Sequence, residues 1–227
     1  FALTTFPLLS RCADETSAKA ESAARGVLER LIGNRAEDFV LKIMPQENGR
    51  DVFEIEASNG KVNISGSSAV ALSRGAYEYL REACGCHVSW DGDNLPLPKV
   101  FPDFPKTQVV CPNKYRHYIS VVTYSYTMLW WDWKRWEREL DWMALHGYNM
   151  PLALSGQEYV WMKVWKSYGF TDEELNKFFS GPAHLPWFRM GNLFEHGGPL
   201  PQSWLDSQRD LQKQILARMR ELGMFPI

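Results

Sequence analysis

From residue 115 to the last residue, Ile227, the chain repeats one local plan: an apolar strand, an amphipathic helix, a glycine, then another apolar strand. Residues 133–146 have helical periodicity, with Trp133, Trp136, Leu140 and Met143 recurring at spacings of three and four, so one face is apolar. Gly147 follows that helix and precedes an apolar run at 148–154, while Gly223 holds the same place between a helix at 202–222 and the run 224–227. A glycine there can adopt the left-handed conformation that ends a helix, so both are expected to do the same job. With 115–123 as a first strand, and 157–168 and 171–179 as further helices, the order is that of parallel β-α units. A closed barrel of such units takes eight strands and about 250 residues. Two to three strands are present, so the segment predicts the first part of a (β/α)8 barrel. An open parallel sheet would expose apolar faces, so the remainder of the barrel is an expected partner, as the same polypeptide or a second chain.

The first hundred residues follow another plan. Ala20, Ala24, Val27, Leu28 and Leu31 give residues 15–32 a helical face that stops at Gly33-Asn34. Residues 38–44 and 51–57 alternate apolar with polar around the interval 45–50 and read as a hairpin. Asn59-Gly60 signals a tight turn into a short strand at 61–65, a second helix follows at 67–83, and Gly85 leads to a strand at 87–90. Between residues 91 and 112, Pro96, Pro98, Pro102, Pro105 and Pro112 argue against regular structure. The fold class is therefore α/β: a small N-terminal α+β domain over 12–95, a Pro-rich connection over 96–114, and the incomplete barrel over 115–227.

The charge balance excludes some partners. With 25 Lys and Arg against 27 Asp and Glu, and no basic arm, nothing calls for nucleic acid. No apolar run reaches the roughly 18 residues a membrane span needs. The first ten residues carry no ionisable side chain, and read either as the remnant of a processed signal region or as a mature N-terminus. Cys12, Cys84, Cys86 and Cys111 are too few and too irregular for a disulfide framework; one Cys84 or Cys86 bond to Cys12 or Cys111 and free buried thiols both stay open. Cys84-Gly85-Cys86-His87 lacks further ligands and is better explained as a turn into a strand than as a metal site. Asn63-Ile64-Ser65 is an acceptor triplet for N-glycosylation. No glycine-rich phosphate cradle or dinucleotide fingerprint occurs, so no cofactor is expected.

Most of the Trp-rich helix should be core, but the aromatics before it, from Tyr124 to Trp131, sit in a loop after a barrel strand, where such folds build their sites. Glu158 stands at the corresponding position after the second strand. It reads either as an acid at the ligand face or as a group bonded to backbone amides or an arginine at a helix start.

Several unusual words then occur in order: Tyr115-Arg116-His117-Tyr118, Tyr124-Ser125-Tyr126, Trp130-Trp131-Asp132-Trp133, Asp141-Trp142-Met143-Ala144-Leu145, Gly156-Gln157-Glu158, Gly181-Pro182-Ala183 and Arg189-Met190-Gly191-Asn192-Leu193. Together they resemble the alpha-N-acetylglucosaminidase family of glycoside hydrolases. The resemblance implies a lysosomal or secreted retaining exo-glycosidase that removes terminal alpha-linked N-acetylglucosamine, as in heparan sulfate breakdown, using two glutamates from later barrel strands. It implies a sugar pocket to which Tyr126, Trp187 and Met190 contribute: a flat ring suits the apolar face of a pyranose, and a thioether fills space beside an acetamido methyl. Departures from the family pattern are Ser120 where members usually carry a sugar-binding Asn, Val122 where some carry Cys, and Phe194-Glu195-His196 where His, a variable residue and Trp are common. They imply either an altered substrate preference or a catalytically inactive member acting as a structural or interaction component.

Overall fold

A computed structural model of the chain describes the backbone of residues 6–227 and the side chains of residues 15–227. The elements run α1 (Phe6–Ile32), β1 (Phe39–Ile43), β2 (Val52–Ser58), β3 (Lys61–Gly66), α2 (Ala69–Cys84), β4 (His87–Val88), β5 (Asp93–Asn94), β6 (Phe104–Val110), β7 (His117–Tyr118), α3 (Val121–Thr123), α4 (Trp133–Leu145), β8 (Met150–Pro151), α5 (Gln157–Ser167), α6 (Asp172–Phe178), α7 (Leu185–Arg189) and α8 (Gln202–Glu221). A single wide π-helical turn, Tyr124–Met128, continues α3. The chain separates into two compact units: Phe1–Arg116 with Leu140–Met150 and Met219–Phe225, and His117–Glu139 with Pro151–Arg218 and Pro226–Ile227.

In the first unit, β1, β3, β2 and β6 form a four-stranded sheet in that order. Its inward residues alternate as a half-buried sheet requires: Phe53, Ile55 and Ala57 on β2 and Val62 and Ile64 on β3 are buried, beside Ala24, Val27 and Leu28 of α1 and Val70, Leu72 and Ala76 of α2. Each of the larger side chains among them, the Val, Leu, Ile and Phe residues, contributes about 1.5–3 kcal/mol by leaving water. The outward residues Glu56, Ser58, Lys61 and Asn63 stay exposed. Helix α2 begins where the Ser68 hydroxyl accepts the Ala71 N–H and ends where Gly85 turns left-handed, so the Cys84 to His87 stretch is a turn into a strand.

Two sequence expectations are corrected here. β1 does not pair with β2; it runs parallel to β3, which lies between them. The two-residue Asn59-Gly60 turn, both residues at positive φ, forces β2 and β3 into the hairpin, whereas the longer 44–51 connection makes its own small turn at Glu47–Arg50 and leaves β1 free to reach the far side of β3. The Pro-rich interval is not irregular throughout, because β6 pairs antiparallel with β2 from Val110 to Phe104. β6 is an edge strand with a register shift opposite Ile55 to Ala57, and such a position tolerates Pro105.

Asp51 forms a polar hub in this unit. Its nearly buried carboxylate accepts from Ser67 Oγ (2.9 Å) and Ser68 Oγ (3.2 Å) and pairs with the Arg116 guanidinium. Arg116 also donates to the carbonyls of Gly147 and Asn113, and its backbone N–H donates to Asn149 Oδ1 at 2.8 Å. Arg30 holds Asp141 through two bonds of 2.6 and 2.9 Å. Gly147 and Gly223 are both left-handed, at φ 79° and 73°. In each case the N–H of the following residue reaches back to the carbonyl five positions earlier, Tyr148 to Met143 and Met224 to Met219, which is the same helix stop twice. The thiols of Cys84, Cys86 and Cys111 are free, and burial pushes Cys86 up to about 11; Cys12 lies outside the described side chains.

The strand starts at Arg116, Asn149 and Phe225 lie side by side in this unit, linked by Met150 N–H to Arg116 O and Phe225 N–H to Asn149 O. In the second unit the strand ends are linked in the same order, by Leu152 N–H to Tyr118 O and by Ile227 N–H to Pro151 O. These are strands of an unclosed barrel-like sheet, preceded by a small α+β domain. The first strand is shorter than its β-branched sequence suggests: after Tyr118 the chain turns, and Val121 to Met128 is helical. Along α4, Trp136, Leu140 and Met143 are buried, and Asp132 caps its start by accepting the Arg135 N–H.

The segment between β8 and α8 is held by rings, with Phe188 contacting Phe178, Phe179 and Trp161 at centroid distances of 5.2, 5.3 and 5.4 Å. Helix α6 opens with a capping box: Thr171 Oγ accepts the Glu174 N–H, and Glu174 Oε2 accepts the Thr171 N–H at 2.8 Å. The Thr171 backbone N–H is the main cause that lowers the Glu174 pKa. A lowered folded-state pKa contributes stability above the unfolded value and loses it as pH falls through the folded one. The stability gap between the wild-type protein and Glu174→Gln is therefore expected to close on acidification, read as urea midpoints against pH. A gap independent of pH excludes this role for the carboxylate. Among the described residues no helix is long and apolar enough to cross a membrane, and no cluster of His, Cys, Asp and Glu is arranged for a metal.

Candidate functional site

The first barrel strand ends on an unusual residue. Ile119 is buried yet has φ 74°, a left-handed backbone that a β-branched side chain resists at a cost of about 1–3 kcal/mol. This kink delivers Ser120 to the start of α3, where its hydroxyl accepts the Thr123 N–H at 3.2 Å and meets the Thr123 hydroxyl at 2.9 Å. Ser120 is exposed, but its oxygen already caps a helix.

The π-helical turn then sends two tyrosines in different directions. Tyr124 is buried, its hydroxyl bonded to Ser155 Oγ at 2.9 Å, and burial raises its pKa. Tyr126 is 65% exposed and meets the Trp187 ring edge-on at 6.3 Å. α7, which carries Trp187, packs against α3 and this turn, and Met190 follows its last residue, 40% exposed. Thus Tyr126 and Trp187 are in contact and Met190 stands beside them on the chain, an apolar wall at the strand-end side of this unit.

Glu158 is placed beneath that wall rather than on it. In the first turn of α5 it is fully buried, and both oxygens bind the Arg189 fork, Oε1 to Nε at 2.7 Å and Oε2 to Nη2 at 2.9 Å. With its charge so engaged it has no surface to offer a ligand, and the arginine-bonded reading is the one observed. Burial opposes the Arg189 charge, but Glu158 and Tyr124 together outweigh it and the Arg189 pKa is raised. The Arg189 guanidinium also lies 4.9 Å over the Tyr124 ring. Asn63 belongs to the other unit and is exposed on β3.

The departures at 194 and 196 serve packing. Phe194 stacks on Phe178 at 5.8 Å, and the His196 carbonyl accepts the Gly181 N–H at 2.8 Å while its ring abuts His184. A second groove of about 550 Å³, lined by Trp161, Trp165, Phe178, Phe188 and Phe194 with Arg189 as its one charged residue, is mostly apolar. Sequence reasoning missed the Arg189 partnership and the Tyr124 to Ser155 bond. Both join residues tens of positions apart, and no local spacing signals either.

Comparison with known proteins gives one consistent answer. The family description "Alpha-N-acetylglucosaminidase (NAGLU) N-terminal domain" matches residues 22–103, and "Alpha-N-acetylglucosaminidase (NAGLU) tim-barrel domain" matches residues 116–227. A human protein named alpha-N-acetylglucosaminidase is 44% identical over 216 residues, covering 92% of this chain and 29% of that protein. A family 89 glycoside hydrolase from Clostridium perfringens, solved in complex with 2-acetamido-1,2-dideoxynojirimycin, is 35% identical with a TM-score of 0.90, over 95% of this chain and 25% of that one. The same coverage and TM-score hold for the Clostridium perfringens structure in complex with its substrate, GlcNAc-alpha-1,4-galactose. The chain therefore spans between a quarter and a third of the length of these relatives.

Proposed function

Since the chain belongs to the alpha-N-acetylglucosaminidase family of glycoside hydrolases, we propose that it builds one wall of the sugar pocket of a retaining exo-glycosidase acting on terminal alpha-linked N-acetylglucosamine, as in heparan sulfate. The observation that carries this reading is the edge-on meeting of exposed Tyr126 with Trp187, with Met190 next to them in the chain. An exposed ring such as Tyr126 beside a half-buried one such as Trp187 can take the apolar face of a pyranose, and a half-exposed thioether can take an acetamido methyl. In the proposed enzyme the two glutamates that perform nucleophilic attack and proton transfer come from later strands. The wall's part is orientation: it binds the sugar ring and excludes water from one side.

The test uses the full-length polypeptide and a chromogenic alpha-linked N-acetylglucosaminide. Trp187→Ala is expected to lower kcat/KM by about ten- to a hundredfold, equivalent to about 1.4–2.7 kcal/mol of transition-state binding. Wild-type values in that variant would remove Trp187 from the pocket. The proposed route is lysosomal or secreted, with a glycan on the exposed Asn63 of the Asn63-Ile64-Ser65 triplet, read in the same preparation as a mass loss on enzymatic deglycosylation.

Ser120 favours a second reading, a catalytically inactive member with a structural or protein-interaction role. Its hydroxyl is committed to Thr123, at a position where the family pattern has an Asn. Complete absence of hydrolysis at acidic and neutral pH by the folded, glycosylated protein selects this second reading.

A further inference from the structure

We propose that Arg189, clamped by Glu158, is the positioning residue that sets the orientation of the Trp187 and Met190 wall relative to Tyr126. The inference rests on the reading of that wall as a sugar-contacting surface, and it extends it to the residue beneath.

Helix α7 is five residues long, far too short to hold a fixed orientation by its own hydrogen bonds. Its rotation must come from side chains that reach out of it. Arg189 lies about 200° round the helix from Trp187, and Met190 follows as the residue after the last turn. Leu185 and Phe188 are buried and pack α7 against its neighbours, and to that packing the planar fork of Arg189 adds a directed pair of bonds. The Arg189 side chain is 3% exposed, and its two bonds of 2.7 and 2.9 Å to Glu158 fix both the plane and the direction of the guanidinium.

What the fork grips is itself anchored. Glu158 stands in the first turn of α5, three residues after Ser155, whose hydroxyl bonds the Tyr124 hydroxyl, which also reaches Gln208 Oε1 of α8 at 3.4 Å. The same guanidinium covers the Tyr124 ring, two residues before Tyr126. One side chain thus ties α7 to the exit of the second strand and to the turn that carries Tyr126. A purely stabilising ion pair has no need to touch the supports of both aromatic residues. Lysine at 189 keeps the charge but loses the two parallel bonds and the flat face over the ring.

The experiment compares Arg189→Lys and the double variant Glu158→Leu/Arg189→Met with the wild-type full-length protein. An apolar replacement of similar volume generally restores stability to a buried pair, so the double variant separates folding from orientation. The protein is labelled with 5-fluorotryptophan, the Trp187 resonance is assigned from Trp187→Phe, and KM and kcat are measured on the chromogenic alpha-glycoside. The expected result is a displaced or broadened Trp187 resonance in both variants, with KM raised about tenfold and kcat changed less, even where the thermal midpoint of the double variant is back at the wild-type value. An unmoved Trp187 resonance in both variants overturns the proposal. So does a double variant whose KM recovers together with its stability, since the pair then acts only on folding. A displaced resonance in Arg189→Lys, with Trp187→Ala leaving KM unchanged, upholds the positioning role while rejecting the sugar-wall reading.

Discussion

Replacing Arg116 by methionine is expected to destabilise the protein by about 3–5 kcal/mol, the penalty for stripping one partner from a buried ion pair. Asp51 would keep only its hydroxyl and amide donors, Ser67, Ser68 and Gln46, around a nearly buried carboxylate. The loss extends further, because Arg116 also satisfies the carbonyls of Gly147 and Asn113. Left unpaired under the helix stop at Gly147, such groups forfeit about 1–3 kcal/mol each wherever water cannot replace the arginine. The double variant Asp51→Asn/Arg116→Met should recover much of the loss, since no charge is then left stranded. Urea unfolding of the two single variants and the double variant gives the coupling directly. A midpoint for Arg116→Met within about 0.5 kcal/mol of wild type would show that solvent reaches the carboxylate.

The second large effect is expected at Gly181, where alanine should cost about 3 kcal/mol, at the upper end of what overpacking does in a closed site. The backbone there has an ordinary φ of -63°, so conformation raises no objection. Space does: a Cβ at 181 would stand 1.9 Å from the Gly197 carbonyl oxygen and 2.5 Å from its carbon. Neither is a side-chain tip that can swing aside. The two loops must separate, breaking the 2.8 Å bond from Gly181 N–H to the His196 carbonyl. Faster hydrogen exchange at the residue 181 amide, together with a lowered thermal midpoint, is the expected signature. Native exchange and stability in Gly181→Ala would show that the loops already stand apart.

Local signals were legible in the sequence wherever a few neighbouring residues decide the outcome. Gly147 and Gly223 stop two helices in the same way, and Asn59-Gly60 closes its hairpin. The failures lie where distant segments compete. β1 alternates well enough to pair with β2, but the tighter turn gives β2 to β3 first, and nothing in residues 39–43 announces that. Ile119 to Thr123 is β-branched throughout except for Ser120 and reads as strand, yet the chain kinks at Ile119 and coils, because the strand has already reached its end. The site divides in the same way. Tyr126, Trp187 and Met190 were singled out by resemblance, and only the fold brings the Tyr126 and Trp187 rings together; Glu158 was noticed as a carboxylate near a strand end, but its partner 31 residues away was not.

Pro105 misled the reading of its own segment, and the reason has a consequence for how molecules of this protein meet one another. β6 is the outer strand of its sheet, and an outer strand offers its free backbone groups to any extended segment that approaches. At residue 105 there is no N–H to offer, the register slips beside it, and Lys106 follows with an exposed charge. Missing N–H, register slip and exposed charge fall together within three residues of one edge, and each is a feature that interrupts the regular pairing an added strand would need.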